Sequence, residues 1–410
     1  MADFVLENAQ LLDVRAGLLR PGALRVEGDR IVEVAEASLR SEGVQRLDLC
    51  GRTVMPGLID AHVHVVITTM NLAAMLQKPT SLVVHEAARI LGHMLDRGFT
   101  TVRDAGGADW GLAEAVERGL VRGPRIFFSG RTLSQTGGHG DFRARGDEVD
   151  VCPCHVHTTG FAHVADGVAA VRKAAREELR RGARQVKIMA SGGVASPTDP
   201  IANLQYSPEE MRAIVEEAYG WNTYAMAHAY TPAAIRRAAL AGVRTIEHGN
   251  LIDEATARLL VERDAFLVPT LVTYHAIDEL GRKLGFPEAS QRKVRDVLDA
   301  GLASLEIARA AGLPMGFGTD LLGETHDQQS RELVIRAEVL PAAEVIRQAT
   351  LVNARILRQE GELGELVAGA RADLLVVDGN PLDDLGLLEG QGRHLAAVVK
   401  GGELVVDRLG

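Results

Sequence analysis

Between about residues 54 and 360 the chain alternates strand-like and helix-like stretches, and this alternation restricts its fold more than any other feature. The strand-like stretches are Val54-Met-Pro-Gly-Leu-Ile-Asp-Ala-His-Val-His64-Val, Thr100-Thr-Val-Arg-Asp, Arg125-Ile-Phe-Phe-Ser, Gln185-Val-Lys-Ile-Met-Ala, Thr223-Tyr-Ala-Met-Ala-His, Thr245-Ile-Glu-His, Phe266-Leu-Val-Pro-Thr and Met315-Gly-Phe-Gly-Thr-Asp. Helix-period segments lie between them at 82–97, 165–181, 208–219, 231–241, 253–263, 289–311 and 341–357. Ser207-Pro208-Glu-Glu is a helix start, with a capping hydroxyl, a first-turn proline and acids at the positive end of the helix. Thr231-Pro232 repeats that logic. Strands alternating with helices make parallel βαβ units. Eight such units in about 300 residues predict a (β/α)8 barrel over 54–360. An open doubly wound sheet is the second reading, but no Gly-rich phosphate fingerprint follows the first strand.

The two ends of the chain read differently. Residues 1–53 carry the short β-segments Phe4-Val-Leu, Ala23-Leu-Arg-Val, Arg30-Ile-Val-Glu-Val and Arg46-Leu-Asp-Leu. Residues 361–410 carry Ala372-Asp-Leu-Leu-Val-Val-Asp, Leu395-Ala-Ala-Val-Val-Lys and Glu403-Leu-Val-Val. Neither end has apolar residues for a large core of its own. The two are therefore expected to pair into one small β-sandwich beside the barrel, which suits a chain of 410 residues. A net charge of −10 argues against a nucleic-acid or anionic-membrane partner. No run of about 18 apolar residues is present to span a membrane. Three cysteines, Cys50, Cys152 and Cys154, make no disulfide framework. No basic segment followed by an apolar core opens the chain, so a reducing, cytoplasmic setting is expected.

In a barrel of this kind chemistry belongs at the C-terminal ends of the strands. The first strand ends in His62 and His64, which share one face because side chains alternate. The fifth ends in His228, the sixth in His248 and the eighth in Asp320. Each alone reads equally well as a satisfied core histidine or a cap aspartate. Four of the chain's 13 histidines and one aspartate, each at the same end of a strand, are hard to obtain by accident and are all metal-capable.

Lys187 stands among Val186, Ile188 and Met189, in a strand expected to be buried on both faces. A lysine snorkelling from a strand end is the bland reading. Burial favours the neutral amine, and neighbouring dications repel the charged one. A neutral amine can add carbon dioxide and become a carbamate, an anionic ligand with two oxygens that can bridge two metals.

At these residues the chain resembles the amidohydrolase superfamily, in the branch holding imidazolonepropionase-like proteins and metal-dependent Xaa-Pro dipeptidases. The matching stretches are Pro56-Gly-Leu-Ile-Asp-Ala-His-Val-His64, Val186-Lys-Ile-Met-Ala-Ser-Gly-Gly193, Ala227-His-Ala-Tyr230, Glu247-His-Gly249, Gly318-Thr-Asp320 and Gly369-Ala-Arg-Ala-Asp-Leu-Leu-Val-Val-Asp378. The resemblance implies a (β/α)8 TIM barrel with a β-sandwich built from both termini, and a site for two divalent metal ions, usually zinc. It implies that His62, His64 and Asp320 hold one ion and His228 and His248 the other, with Lys187 bridging as N6-carboxylysine. Lys187 also separates this chain from imidazolonepropionase itself, which resembles a mononuclear enzyme lacking that lysine.

The expected reaction is hydrolysis of the amide bond of dipeptides or N-acyl amino acids by a metal-bridging hydroxide, with a homo-oligomer as the expected assembly. Asp320 would shuttle the proton. Tyr230, two residues beyond His228, would donate to the developing oxyanion; a packed aromatic at a helix start is the competing reading. His139, in Thr136-Gly-Gly-His-Gly-Asp141, sits in a long loop (131–164) expected to line the site, and is read as a substrate contact together with Gly192. Asp104 is better placed to support a ligand than to be one. Cys152-Pro-Cys-His-Val-His157 lacks the spacing of a zinc finger. Two alternatives stay open: a cyclic or aromatic, toxin-like amide as substrate of the same site, and a non-catalytic barrel scaffold.

Overall fold

The computed structural model describes residues 3–36, 39, 43–75, 77–143, 161–196, 199–286 and 288–409. The two ends of the chain meet in one eight-stranded sheet. Its joint is Thr53–Pro56, which runs parallel to Asp3–Asp13 on one side and antiparallel to Leu374–Val377 on the other. Leu18–Glu27 and Arg30–Ala35 extend the sheet one way, and Leu395–Lys400 and Glu403–Asp407 the other. Side-chain alternation divides its residues between two cores. Leu374 and Val376 join Phe4, Leu6, Leu24 and Val54 in a core of the terminal unit. Leu375 and Val377 pack into the main core.

The chain leaves this sheet at Gly57 and enters the barrel through Leu58–Val63. That strand pairs in parallel with Phe99–Asp104, which pairs with Arg125–Phe128. The third strand is bent. Its continuation, Thr132–Ser134, pairs forward with Val186–Met189, and Ala225–Ala229, Thr245–His248 and Phe266–Val268 follow in order. The eighth position, Met315–Asp320, was expected as a strand but forms no regular ladder. It still closes the circuit. Gly316 N donates to Leu267 O at 2.8 Å, Ala61 N to Phe317 O at 2.8 Å and Asp320 N to His62 O at 2.8 Å. The irregularity has a visible cause: the Asn353 side chain takes ladder positions, accepting from Phe317 N (3.1 Å) and donating to Phe317 O (2.8 Å) and Ile59 O (2.6 Å). The fold is a (β/α)8 barrel carrying a β-rich unit from both termini.

Helices Thr80–Asp96, Val168–Arg180, Pro208–Gly220, Pro232–Ala241 and Glu254–Glu262 lie close to where the apolar period places them. Ser207 and Glu210 form a reciprocal capping box. The expected single helix over 289–311 is two, Glu288–Leu298 and Gly301–Ala310. A third helix, Leu271–Leu280, precedes them and was not read in the sequence. Among the described residues no helix is long and apolar enough to cross a membrane.

Candidate active site

The first strand delivers His62 and His64 to one place, with ring centroids 5.4 Å apart. Asp320 reaches both: its Oδ1 lies 3.4 Å from His62 Nε2 and 3.3 Å from His64 Nε2. The His248 ring is 4.9 Å from that of His62 and 4.7 Å from that of His228. Lys187 Nζ lies 3.4 Å from His62 Nε2. All six expected metal-site residues thus stand in one cluster. Nitrogen or oxygen atoms of His62, His248 and Asp320 lie within 4.8 Å of one another. His248 and Asp320 have φ of 72° and 53°, left-handed conformations that are uncommon for residues with a Cβ and concentrate at functional sites. Gly318 permits the crossing of the first and eighth strands, since a Cβ there would lie 2.8 Å from the His62 Cβ.

The Amidohydrolase family profile matches residues 53–405. This chain belongs to the amidohydrolase family. It is 30% identical to the ochratoxinase of Aspergillus niger over 97% of this chain and 87% of that one. A prolidase solved as a complex with N-methylphosphonate-L-proline superposes with a TM-score of 0.97 at 54% identity, covering 99% of this chain and 100% of the other. A Xaa-Pro dipeptidase solved with methionine in its active site gives 0.88 at 30% identity, covering 98% and 99%.

In this amidohydrolase each imidazole of the cluster is fixed by a partner at its second nitrogen. His62 Nδ1 lies 2.7 Å from Glu247 Oε2, His64 Nδ1 2.9 Å from Gly106 O, His228 Nε2 3.2 Å from Gly192 O and His248 Nδ1 2.8 Å from Thr270 Oγ1. Such partners fix the tautomer and aim the other nitrogen. Glu247 is itself held by Arg103, whose Nη2 donates to both carboxylate oxygens at 2.9 Å; both residues are fully buried. Sequence reasoning missed this pair. Its signal was an acid and an arginine in strands otherwise too apolar to carry them. Asp104 accepts from Val65 N, Gly106 N and Ala108 N, and so supports the turn that holds His64.

Burial pushes His62 and His228 well below the usual imidazole value and His248 down to about 3, which keeps all three in the neutral form that binds cations. Burial opposes charge on His64 as well, but the hydrogen bond and charge of Asp320 outweigh it and raise His64. Burial likewise acts against ionised Asp320. The hydrogen bond from His64 and the nearby His248 overcome it and hold Asp320 below its ordinary value. Lys187 is lowered to about 8, chiefly by burial.

His139 stacks on the His228 ring at 4.3 Å. Its Nδ1 is 2.8 Å from Ser196 Oγ, and that hydroxyl donates to Asp199. Asp199 also receives Gly193 N (3.2 Å) and Gln205 Nε2 (3.0 Å), while Gln205 Oε1 accepts from His139 N (2.8 Å). Gly193 must be a glycine here, because a Cβ would come within 2.2 Å of the His139 ring. Lys293 ties the same loop down, donating to the carbonyls of Gly193, Ser196 and Asp199 at 2.6–2.9 Å. Gly192 stands behind His228, its carbonyl turned to that ring.

The Tyr230 ring stacks on His248 at 5.2 Å. A cavity opens in front of the cluster, lined by Tyr230, Tyr274 and His139 and walled by Ile67, Leu72, Phe142, Phe161, Ile277 and Leu322. The segment Cys152–His157 lies outside the described residues.

Proposed function

We propose that this amidohydrolase holds two divalent metal ions, zinc in the first instance, and cleaves the amide bond of dipeptides or N-acyl amino acids. The observation that carries the reading is Lys187. Its amine is 1% exposed, sits inside a cluster of imidazoles and forms no ion pair among the described residues. A permanent ammonium is a poor occupant of that position. A carbamate fits: it turns the amine into an anion with two oxygens and places them beside His62. His62, His64 and Asp320 would then hold one ion and His228 and His248 the other, with Lys187 between them.

When bound, two such ions supply a water of lowered pKa and Lewis acidity toward the substrate carbonyl. The protein's own groups do the rest. Asp320, exposed to the cavity and kept ionised, takes the proton of the attacking water and delivers it to the leaving nitrogen. Tyr230 donates to the oxygen that becomes negative. His139, held by Ser196 and Asp199, faces the substrate carbonyl or carboxylate. The apolar wall receives a hydrophobic side chain or acyl group. The prolidase and Xaa-Pro dipeptidase relatives support a dipeptide. The likeness to ochratoxinase favours one second reading, an aromatic amide on the same residues. The reading includes a homo-oligomer as the assembly.

The test is a panel of Xaa-Pro and other dipeptides, N-acyl amino acids, cyclic amides and aromatic amides, incubated with zinc-loaded protein. Release of an amino acid from the first two groups is expected. Turnover confined to cyclic or aromatic amides would overturn the substrate class. Fewer than about one bound ion per chain, with no turnover at all, would leave a scaffold.

A further inference from the structure

The end of the barrel opposite the histidine cluster carries a concentration of arginine. Tyr224, Arg244 and Phe266 stand at the N-terminal ends of three successive strands, Ala225–Ala229, Thr245–His248 and Phe266–Val268. Arg355 and Arg358 reach them from beyond the last barrel strand, and the five side chains alternate. The Arg358 guanidinium lies 5.7 Å from the Tyr224 ring, that of Arg244 5.6 Å from the same ring and 5.1 Å from the Phe266 ring, and that of Arg355 5.9 Å from Phe266. A guanidinium stacked on a ring keeps its N–H edges for other partners. Here those edges find few. Arg244 Nη2 donates to Arg355 O (2.9 Å) and Arg358 Nη1 to Asn222 O (2.7 Å), while Arg244 Nε is buried with no hydrogen-bond partner among the described residues.

Arg355 also belongs to the rim of a cavity of about 530 Å³, which it shares with Arg15, Arg309 and Arg347. The floor is apolar: Leu313, Met315, Leu351 and Val352 line it and are buried. Leu351 and Val352 lie in one turn of π-helix, Gln348–Val352, a rare geometry that recurs at functional sites. The ladder and the rim together hold six arginines. Three glutamates answer them: Glu365 accepts from Arg15 (2.7 Å), Glu344 pairs with Arg309 (3.2 Å) and Glu360 with Arg355 (3.9 Å). Arg244, Arg347 and Arg358 form no ion pair among the described residues. Three positive charges are thus left over at one end of a chain whose net charge is −10.

Residues at this end of a barrel ordinarily serve the fold, and stacking accounts for Arg244, Arg355 and Arg358 in that way. It does not account for Arg347, which is exposed and has neither a ring nor a carboxylate beside it among the described residues. A single carboxylate would neutralise one arginine. A phosphate-type anion brings two or more charges and at least three acceptor oxygens, enough for several guanidinium forks. A long polyanion is opposed by the acidic remainder of the chain.

We propose that this cavity is a second ligand site, in which Arg347 and Arg355 hold a phosphate-type anion and the apolar floor leaves room for an organic body attached to it. The site is separate from the amide-hydrolysing one and does not depend on the reading of that reaction.

The experiment is isothermal calorimetry on the whole protein with inorganic phosphate, pyrophosphate and ADP as probes. The variants are Arg347→Ala, the double variant Arg347→Ala/Arg355→Ala, and Arg118→Ala as a charge control. Arg118 is exposed, lines a different cavity and forms no ion pair among the described residues. Thermal melting confirms the fold of each. Saturable binding of one pyrophosphate or ADP per chain is expected. Arg347→Ala should weaken it about tenfold and the double variant about a hundredfold, while Arg118→Ala stays within about twofold. ADP binding tighter than pyrophosphate supports the site with an organic phosphate as its ligand; equal affinities support it with the free anion. No binding of either at about 5 mM overturns the proposal. So does binding that the double variant leaves unchanged, because the anion then sits elsewhere, as on metal at the histidine cluster. An equal loss in Arg118→Ala overturns it too, since only general charge is then being read. Amide turnover enters none of these readouts.

Discussion

Lys187 and Arg336 are both basic residues sealed in the barrel, 1% and 0% exposed, and they are treated in opposite ways. Every arm of Arg336 is used. Its Nε donates to Glu332 at 2.7 Å, Nη1 to Gly316 O (2.8 Å) and Gln348 Oε1 (2.6 Å), and Nη2 to Pro269 O (2.6 Å), with its guanidinium 5.0 Å over the Phe317 ring. It ties the seventh strand to the irregular eighth. Among the described residues the amine of Lys187 has one hydrogen-bond partner, an imidazole nitrogen at 3.4 Å. A buried cation that is fully paired holds a structure together. One left without an anion costs several kcal/mol as a charge. Such a residue stays in a folded protein when it is neutral or chemically altered. That difference separates scaffold from site within a single barrel.

Two substitutions break the comparison most directly. Lys187→Met should reduce turnover by more than the roughly 10²–10³ lost with a single oxyanion donor, lower the bound metal, and leave thermal stability equal or higher. Arg336→Met should do the reverse. It leaves Glu332, Gln348 and the Gly316 and Pro269 carbonyls without their donor in the interior, each unsatisfied buried group costing about 1–3 kcal/mol, while the protein that remains folded keeps its kcat. Denaturant melts with metal analysis on both variants check this. An unfolded Lys187→Met, or an Arg336→Met as stable as the parent, would show that the contrast in pairing is not a contrast in role.

Glu247 lies between these extremes, because it is anchored by Arg103 and itself anchors His62. Glu247→Gln keeps a hydrogen-bond acceptor for His62 but removes the charge. The expected outcome is a 10–100-fold loss of metal affinity, read from chelator competition, with a smaller loss of stability than Arg336→Met. A variant that loses stability but not metal affinity would place Glu247 with Arg336, among the structural pairs.

Much of this site was legible because strand geometry is local. His62 and His64 share a face by the period of two, and Lys187 betrayed itself by its neighbours Val186, Ile188 and Met189. The eight-unit alternation carried the barrel. What was not legible depends on contacts between distant segments or on weak local signals. Glu247 and Arg103 are 144 positions apart and become partners only when the barrel closes. Ser196 and Asp199 gain meaning from the ring of His139, which arrives from another loop. Tyr274 was lost with its helix, since Leu271-Val-Thr-Tyr-His is rich in β-branched and aromatic residues of modest helix propensity. The eighth strand looked regular in sequence because nothing there announces that Asn353, 36 residues from Phe317, replaces part of its ladder.

The smallest predicted effect asks whether the Arg336 pairing is a charged one. Burial lifts the Glu332 carboxyl from 4.5 to about 7, against the pull of Arg336 and of the Val272 N–H that donates to it at 2.6 Å. A carboxyl raised on folding binds its proton more tightly in the native state. Its contribution to stability is therefore complete below about 4.5, shrinks as pH rises, and is lost through about 7. The slope contributed by this one group is at most about 1.4 kcal/mol per pH unit. Glu332→Gln removes it. The stability of the parent minus that of the variant, from denaturant melts at pH 5, 6 and 7, should fall steadily across the series. A difference that stays level means that Glu332 is ionised throughout and that Arg336 sits in a true buried ion pair. The contrast with Lys187 would then set a fully charged buried pair against an amine that forms no ion pair among the described residues.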